Sequence, residues 1–197
     1  MSTPSLVVTR LALPGVLAIQ PRRFVDARGS FVETWRESHS HNLAPAVPTL
    51  GPFVQDNASV SHRGVLRGLH FQWPHPQGKL LTVLSGAILD AVVDVRRGSP
   101  TFGVGLTLEV DAAGPQLWIP PGFAHGFLAL EDQTVVIYKC TAPRVEDAER
   151  RILWSDPALA LAWPTSSAEP PRLSDLDARA PRLADLPDDA LPVWDGA

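Results

Sequence analysis

Apolar residues in this chain come in short runs, broken by Gly, Pro and Ser, and no run sustains a 3.6-residue period. "SFVETW" (30–35) sets Phe31, Glu33 and Trp35 against Val32 and Thr34, the two-residue period of a strand. Residues 5–20 and 29–36 therefore read as extended, with Arg28-Gly29 at a turn between them. "FVQDNASVS" (53–61) alternates in the same way. The centre holds "KLLTVLSG" (79–86), "AILDAVVDVR" (87–96) and "GVGLTLEV" (103–110), three strand candidates separated by "SG" and "RRGSPTF". "PQLWIPPG" (115–122), "AHGFLAL" (124–130) and "TVVIYKCT" (134–141) follow. Val, Ile, Leu and Thr dominate these runs, as suits residues that pack on a pleated surface. The pattern predicts an all-β antiparallel sandwich or small barrel.

Past Thr141 the texture changes. "PRVEDAERRILWSDPALALAWP" predicts a short helical turn and then a strand leading to Trp163. "SDLDARA" predicts a helical turn capped by Ser174, with Asp177 three positions on. The proline-punctuated end reads as a tail wrapped on the rest. The expectation is a single domain over 1–197, with a core of about 7–182 and a tail of 183–197.

Composition narrows the function classes. A chain of 197 residues can bury a substantial core. Seventeen basic against twenty-one acidic side chains give −4, which does not predict a nucleic-acid surface but leaves room for a local basic patch in a cleft. A lone cysteine, Cys140, cannot form an intramolecular disulfide, which fits a reducing compartment. The N-terminal apolar stretch is broken by Arg10 and Pro14, so neither a signal peptide nor a membrane span is expected, and the expected location is the cytoplasm.

The densest chemistry lies in "GVLRGLHFQWPHPQGK" (64–79). A metal site could use His70 and His125, but Gln72 stands where a metal-binding barrel would commonly put its next His, and His75 sits in a proline-bounded loop. The plain alternative is that His70 and His125 are buried histidines satisfied by backbone partners. Arg67, His70 and Lys79 in a mostly apolar sheet call for anionic partners, either carboxylates of the protein or a ligand. Arg67 and His70 are three apart and would not share a face of an ideal strand; a turn or bulge at Gly68 can re-aim one of them. A proton-transfer site would use His as the base, a carboxylate or carbonyl behind it, and an acid across the substrate. Spacing alone does not assign those partners. Trp73 and Trp118 read as core or pocket wall, "RRG" (96–98) as a solvated turn, and Cys140 as a small buried hydrophobe.

Longer strings are more specific. "FVDARGSFVETW" (24–35), "QDNASVSHRGVLRGLHFQ" (55–72), "QGKLLTVLSG" (77–86), "DVRRGSPTFG" (94–103), "WIPPGFAHGFLAL" (118–130), "YKCT" (138–141) and "LSDLDARAP" (173–181) occur in that order. Together they resemble the dTDP-4-dehydrorhamnose 3,5-epimerase family from about residue 7 to 182. The resemblance implies a cupin-like jelly-roll barrel with short helical turns near the C-terminus. It also implies a homodimer with N-terminal strand exchange, and no metal or other cofactor. The implied activity is inversion of C3 and C5 of dTDP-4-dehydro-6-deoxy-D-glucose to give dTDP-4-dehydro-L-rhamnose. By position, His70 resembles the catalytic base, Asp177 its carboxylate, Tyr138 the acid on the other face of the sugar and Lys79 the group that steadies the enolate oxygen. Arg67 resembles a diphosphate contact, and His125 lines the same pocket. Gln55 and Asn57 resemble further sugar-nucleotide contacts, and Phe24, Arg28 and Glu33 resemble nucleotide contacts supplied across the dimer. Arg144 stands where members commonly carry an aromatic residue stacked on the thymine base, and a guanidinium can also lie flat on a base. Two other readings stay open: a C3-only epimerase of deoxysugar pathways, and a non-catalytic barrel that binds a sugar nucleotide.

Overall fold

In a computed structural model that describes residues 6–39, 47, 50, 52–166 and 169–196, the apolar runs become strands. In chain order they are β1 (Leu6–Arg10), β2 (Leu17–Pro21), β3 (Arg23–Asp26), β4 (Gly29–Val32), β5 (Gln55–Ser61), β6 (Leu66–Gln72) and β7 (Lys79–Ser85). β8 (Ala87–Asp94), β9 (Gly105–Asp111), β10 (Gln116–Ile119), β11 (Phe123–Ala129), β12 (Thr134–Cys140) and β13 (Glu149–Arg151) complete them. The extended stretch predicted from residue 5 is two strands joined by a turn, with Leu11 N–H donating to the Val16 carbonyl at 3.0 Å; residue 5 itself lies outside the described residues. The strand predicted over 29–36 stops at Val32. The strand predicted to reach Trp163 does not form. Pro157 has no N–H for a ladder and instead opens the 3-10 turn Pro157–Leu159, whose Ala158 N–H is capped by the Asp156 carboxylate.

Every ladder between these strands is antiparallel. One sheet runs β1-β2-β10-β7-β12-β5, a second runs β13-β6-β11-β8-β9, and β3-β4 is a separate hairpin. The expected closed jelly-roll barrel is not what forms. β1 and β5 end one sheet, β13 and β9 end the other, and none of these four edges pairs with another. Closure requires the last strand to bond the first with the right tilt and stagger, and neither alternation nor turn spacing along a chain encodes that pairing. The architecture is two open antiparallel sheets stacked face to face.

Between them, Leu81 and Val83 of β7, Leu117 of β10 and Val136 of β12 meet Ile88, Val110 and Phe127 of the other sheet. Each such side chain, taken fully out of water, contributes about 1.5–3 kcal/mol before entropy is counted. The outer faces are covered as well. Leu17, Ile19, Leu80 and Trp118 pack under Val47, Trp35 and Phe53. Leu69, Phe71, Ala91, Val93 and Ala124 pack under Ile152, Leu159, Leu183 and Leu191. Strands buried on both faces read as continuous apolar runs, which is why "AILDAVVDV" hardly alternates. Among the described residues no helix is long and apolar enough to cross a membrane.

Candidate active site

In the β6–β11 ladder His70 stands directly across from His125, but the next pair is Arg67 with Phe127. Gly68 and Leu69 of β6 therefore oppose the single Gly126 of β11. This is a β-bulge, and it turns Arg67 and His70, three apart in sequence, into the same cleft between the sheets. Gly68 is required at this point. Its φ is +119°, and a Cβ there would lie 2.6 Å from the Gly126 Cα and 2.8 Å from the His125 carbonyl oxygen.

The facing wall belongs to the other sheet. Lys79 shares the inward side of β7 with Leu81 and Val83, and Tyr138 shares that of β12 with Val136, by the two-residue period of strands. The cleft between these walls measures about 270 Å³. Its remaining sides are Phe127, Arg144, Glu149, Arg151, Ser174 and Asp177. Trp118, by contrast, is wholly buried on the outer face of its sheet.

Asp177 reaches the cleft from the short helix Asp175–Ala178, whose N-cap is Ser174: the Ser174 Oγ accepts the Asp177 backbone N–H at 3.1 Å. Asp177 is buried, with Oδ1 2.6 Å from His70 Nε2. Burial by itself raises the Asp177 pKa. The hydrogen bond and charge of His70, the Ser174 hydroxyl and the Gly68 N–H outweigh it and hold the carboxyl below its usual range. An ionised Asp177 accepts from His70 Nε2 and leaves Nδ1 as the basic nitrogen. A second His-carboxylate pair lies alongside: His125 Nε2 is 2.6 Å from Asp90 Oδ2, with both side chains buried.

Across the cleft, burial pushes the Lys79 ammonium down from its ordinary value, opposed by the nearby carboxylates of Glu149 and Asp90. Burial pushes the Tyr138 phenol up, with Cys140 adding to the rise while Arg67 and Arg144 oppose it. Tyr138 is therefore a protonated donor at neutral pH. Arg67 is exposed at the mouth, where Nε donates to Ser61 Oγ at 3.1 Å. The Arg144 guanidinium donates twice to Glu149 Oε2, at 2.9 and 2.7 Å, and its backbone N–H donates to Gln55 Oε1 at 2.8 Å.

Other predicted site residues lie elsewhere. Gln55 and Asn57 sit on β5 and are not part of the cleft lining. Gln55 bonds Asn57 Oδ1 at 2.8 Å, and Asn57 bonds the buried Cys140 Sγ at 3.5 Å. Phe24 and Arg28 are on the β3–β4 hairpin, where Arg28 pairs with Asp26 at 2.6 Å. Glu33 follows that hairpin and holds Arg36 and, at 3.3 Å, His39. Gln72 faces backbone: it donates to the Pro143 carbonyl at 3.1 Å and accepts the Val145 N–H at 2.8 Å, so it shapes the Arg144 loop. His75 is exposed and does not line the cleft. Among the described residues no three His, Cys, Asp or Glu side chains are grouped as metal ligands would be.

Three charged contributors were not anticipated. Glu149 and Arg151 face the cleft from β13, and their i, i+2 spacing in "ERR" is the signal that could have found them. Asp90, a buried carboxylate in the middle of an apolar strand, demanded a partner for the same reason that any buried charge does.

The sequence profile described as dTDP-4-dehydrorhamnose 3,5-epimerase matches residues 10–185. A Pseudomonas aeruginosa protein of that description is 44% identical over 90% of this chain and 96% of its own. One from Neisseria gonorrhoeae is 46% identical over 84% of this chain, which spans only 49% of that relative's length. Among solved structures, dTDP-6-deoxy-D-glucose-3,5-epimerase from Legionella pneumophila, in complex with dTDP-4-keto-L-rhamnose, superposes with a TM-score of 0.90 at 38% identity, covering 96% of this chain and 98% of that one. A 3'-monoepimerase from Streptomyces bikiniensis, in complex with dTDP-quinovose, superposes with a TM-score of 0.84 at 35% identity, covering 93% of this chain and 91% of that one. With a profile match over residues 10–185 and relatives above 40% identical across 84–90% of it, the chain belongs to the dTDP-4-dehydrorhamnose 3,5-epimerase family.

Proposed function

We propose that the chain inverts C3 and C5 of dTDP-4-dehydro-6-deoxy-D-glucose to give dTDP-4-dehydro-L-rhamnose, with His70 as base and Tyr138 as acid. The observation that carries this reading is His70 on one sheet, backed by Asp177 from the short C-terminal helix, facing Lys79 and Tyr138 on the other sheet within one cleft. The C4 ketone acidifies the C3 and C5 hydrogens, because loss of either gives an enolate with its charge on O4. His70 Nδ1 takes the proton, and Asp177 stabilises the imidazolium that forms. Lys79 supplies positive charge where the enolate oxygen develops. Tyr138 returns a proton from the opposite wall, which inverts the carbon. Arg67 at the mouth meets the diphosphate with charge-assisted bonds, and Arg144 lies against the base.

We further propose a homodimer in which the N-terminal hairpin crosses to the partner and brings Phe24, Arg28 and Glu33 to its nucleotide. Its support is apolar exposure on that hairpin: Phe24 is 48%, Val25 75% and Phe31 69% exposed. A cytoplasmic setting is part of the same reading, consistent with one buried thiol.

The test is deuterium incorporation from D2O into the keto sugar nucleotide, followed by NMR. Exchange and inversion at both carbons is expected. The similarity to a 3'-monoepimerase supports a second reading, inversion of C3 alone. Lasting exchange confined to C3 would select it, and nucleotide binding without any exchange would leave only a binding protein.

A further inference from the structure

Behind the catalytic pair runs a row of charges of alternating sign. Arg144, half exposed, pairs with Glu149 at 2.7 Å; Glu149 in turn accepts from Arg151 Nη2; Arg151 Nε stands 3.5 Å from Asp177 Oδ1; and that oxygen accepts from His70. The backbone builds the row. Arg151 is the ladder partner of His70 and Glu149 that of Gln72, so both side chains project from the edge strand β13 toward the cleft. The Arg151 Nε is buried and has no hydrogen-bond partner among the described residues. A guanidinium N–H kept from water without a hydrogen bond carries an uncompensated desolvation cost, and at this separation its charge acts directly on the Asp177 carboxylate.

We infer that Arg151 and Glu149 are positioning residues that set how strongly Asp177 holds the protonated form of His70. The inference rests on the assignment of His70 as base. Asp177 favours imidazolium; Arg151 on the same carboxylate oxygen opposes it, and Glu149 offsets Arg151. Glu149 is itself held ionised: burial raises its pKa, but the Arg144 hydrogen bond and the charges of His70 and Arg151 lower it further. From the other elements, His70 is faced by His125 with Asp90 behind it on the neighbouring strands. Lys79, Tyr138 and Arg67 complete the charged and titratable walls, and none of them touches Asp177. The Arg151–Glu149 pair is thus the part of the charged wall that acts on the dyad through Asp177.

The test compares Arg151→Met, Arg151→Lys and Glu149→Gln with the unaltered protein. Two readouts are used: the pH profile of kcat/KM for deuterium exchange, and the NMR titration of the His70 ring. Arg151→Met should move the acidic limb and the titration upward by about one pH unit, the low end for a charge within a few ångströms of a partly solvated pair. Glu149→Gln should move both downward by about half as much, and Arg151→Lys, which keeps the charge, should stay within about 0.3 unit. Opposite shifts in Arg151→Met and Glu149→Gln support the inference. Curves that overlay the unaltered protein, or that shift in the same direction in both variants, overturn it. The ring titration does not depend on turnover. An inactive unaltered protein therefore refutes the base assignment, whereas motionless titrations in an active one refute only the role of the pair.

Discussion

Replacing Asp177 by Asn removes one charge from the centre of the cleft and little else. The amide occupies the same volume, and the Ser174 cap is kept because it binds the backbone N–H of this residue. The 2.6 Å contact with His70 Nε2 changes from a charge-assisted bond to a neutral one, or to a clash of donors if the amide turns its NH2 inward. Losing a hydrogen bond to a charged group is worth about 1.5–3 kcal/mol, or roughly 10–150-fold in rate. Arg151, 3.5 Å from the carboxylate, would then face the forming imidazolium without its counter-charge, which places the loss toward the upper end, about 10²-fold in kcat. The assay is the initial rate of deuterium entry at C3 and C5 at pH 7.5 with saturating substrate, alongside a thermal melt. KM should change little, because the loss falls on proton transfer, and the melting temperature should fall by several degrees, since a carboxyl held below its usual range in the fold stabilises it at this pH. A variant whose kcat remained within about threefold of the unaltered protein would show that the dyad is not the source of the base, and the mechanism built on it would fall.

Tyr138→Phe separates the two halves of the reaction. Proton loss to solvent should continue at a reduced rate while inverted product falls by about 10²-fold or more, since only the acid from the second wall is missing; equal loss of both would contradict the assignment. Gly68→Ala forces a Cβ against the Gly126 Cα and the His125 carbonyl at a positive φ, so it should cost about 3 kcal/mol or more and abolish exchange, as judged by urea unfolding and the NMR assay. Asp94→Asn tests the turn after β8. Asp94 is fully buried and accepts from Arg96 at 2.8 Å, Ser99 at 2.6 Å and Thr101 at 2.7 Å. Burial raises its pKa, but those donors outweigh burial and depress it. Its contribution is therefore complete above the unfolded carboxyl pKa of about 4 and is lost as pH falls through the lower folded value. Asp94→Asn should cost about 2–4 kcal/mol at pH 7, and the gap to the unaltered protein should narrow below pH 4. A gap independent of pH would reject the ionised carboxylate as its source.

Much of this protein is legible along the chain, because local chemistry decides it. Strands β5, β7, β8, β10 and β12 fall within the runs that predicted them, and β9 and β11 overrun theirs by one residue, since pleated packing selects the same side chains wherever the strands finally lie. The cap at Ser174 is likewise local: a hydroxyl three residues ahead of the N–H it accepts. The ordered strings around His70, Lys79, Tyr138 and Asp177 were enough to name the family. What only the tertiary structure decides is long-range pairing. Whether two sheets stay open or close into a barrel depends on which edges meet, and that has no sequence period. The bulge opposite Gly126 depends on a ladder register, and it alone lets Arg67 and His70 share a cleft. Asp90, Glu149 and Arg151 became part of the site only when folding set His125, Arg144 and Asp177 against them, because the partner of a buried charge is chosen by proximity in space and not along the chain.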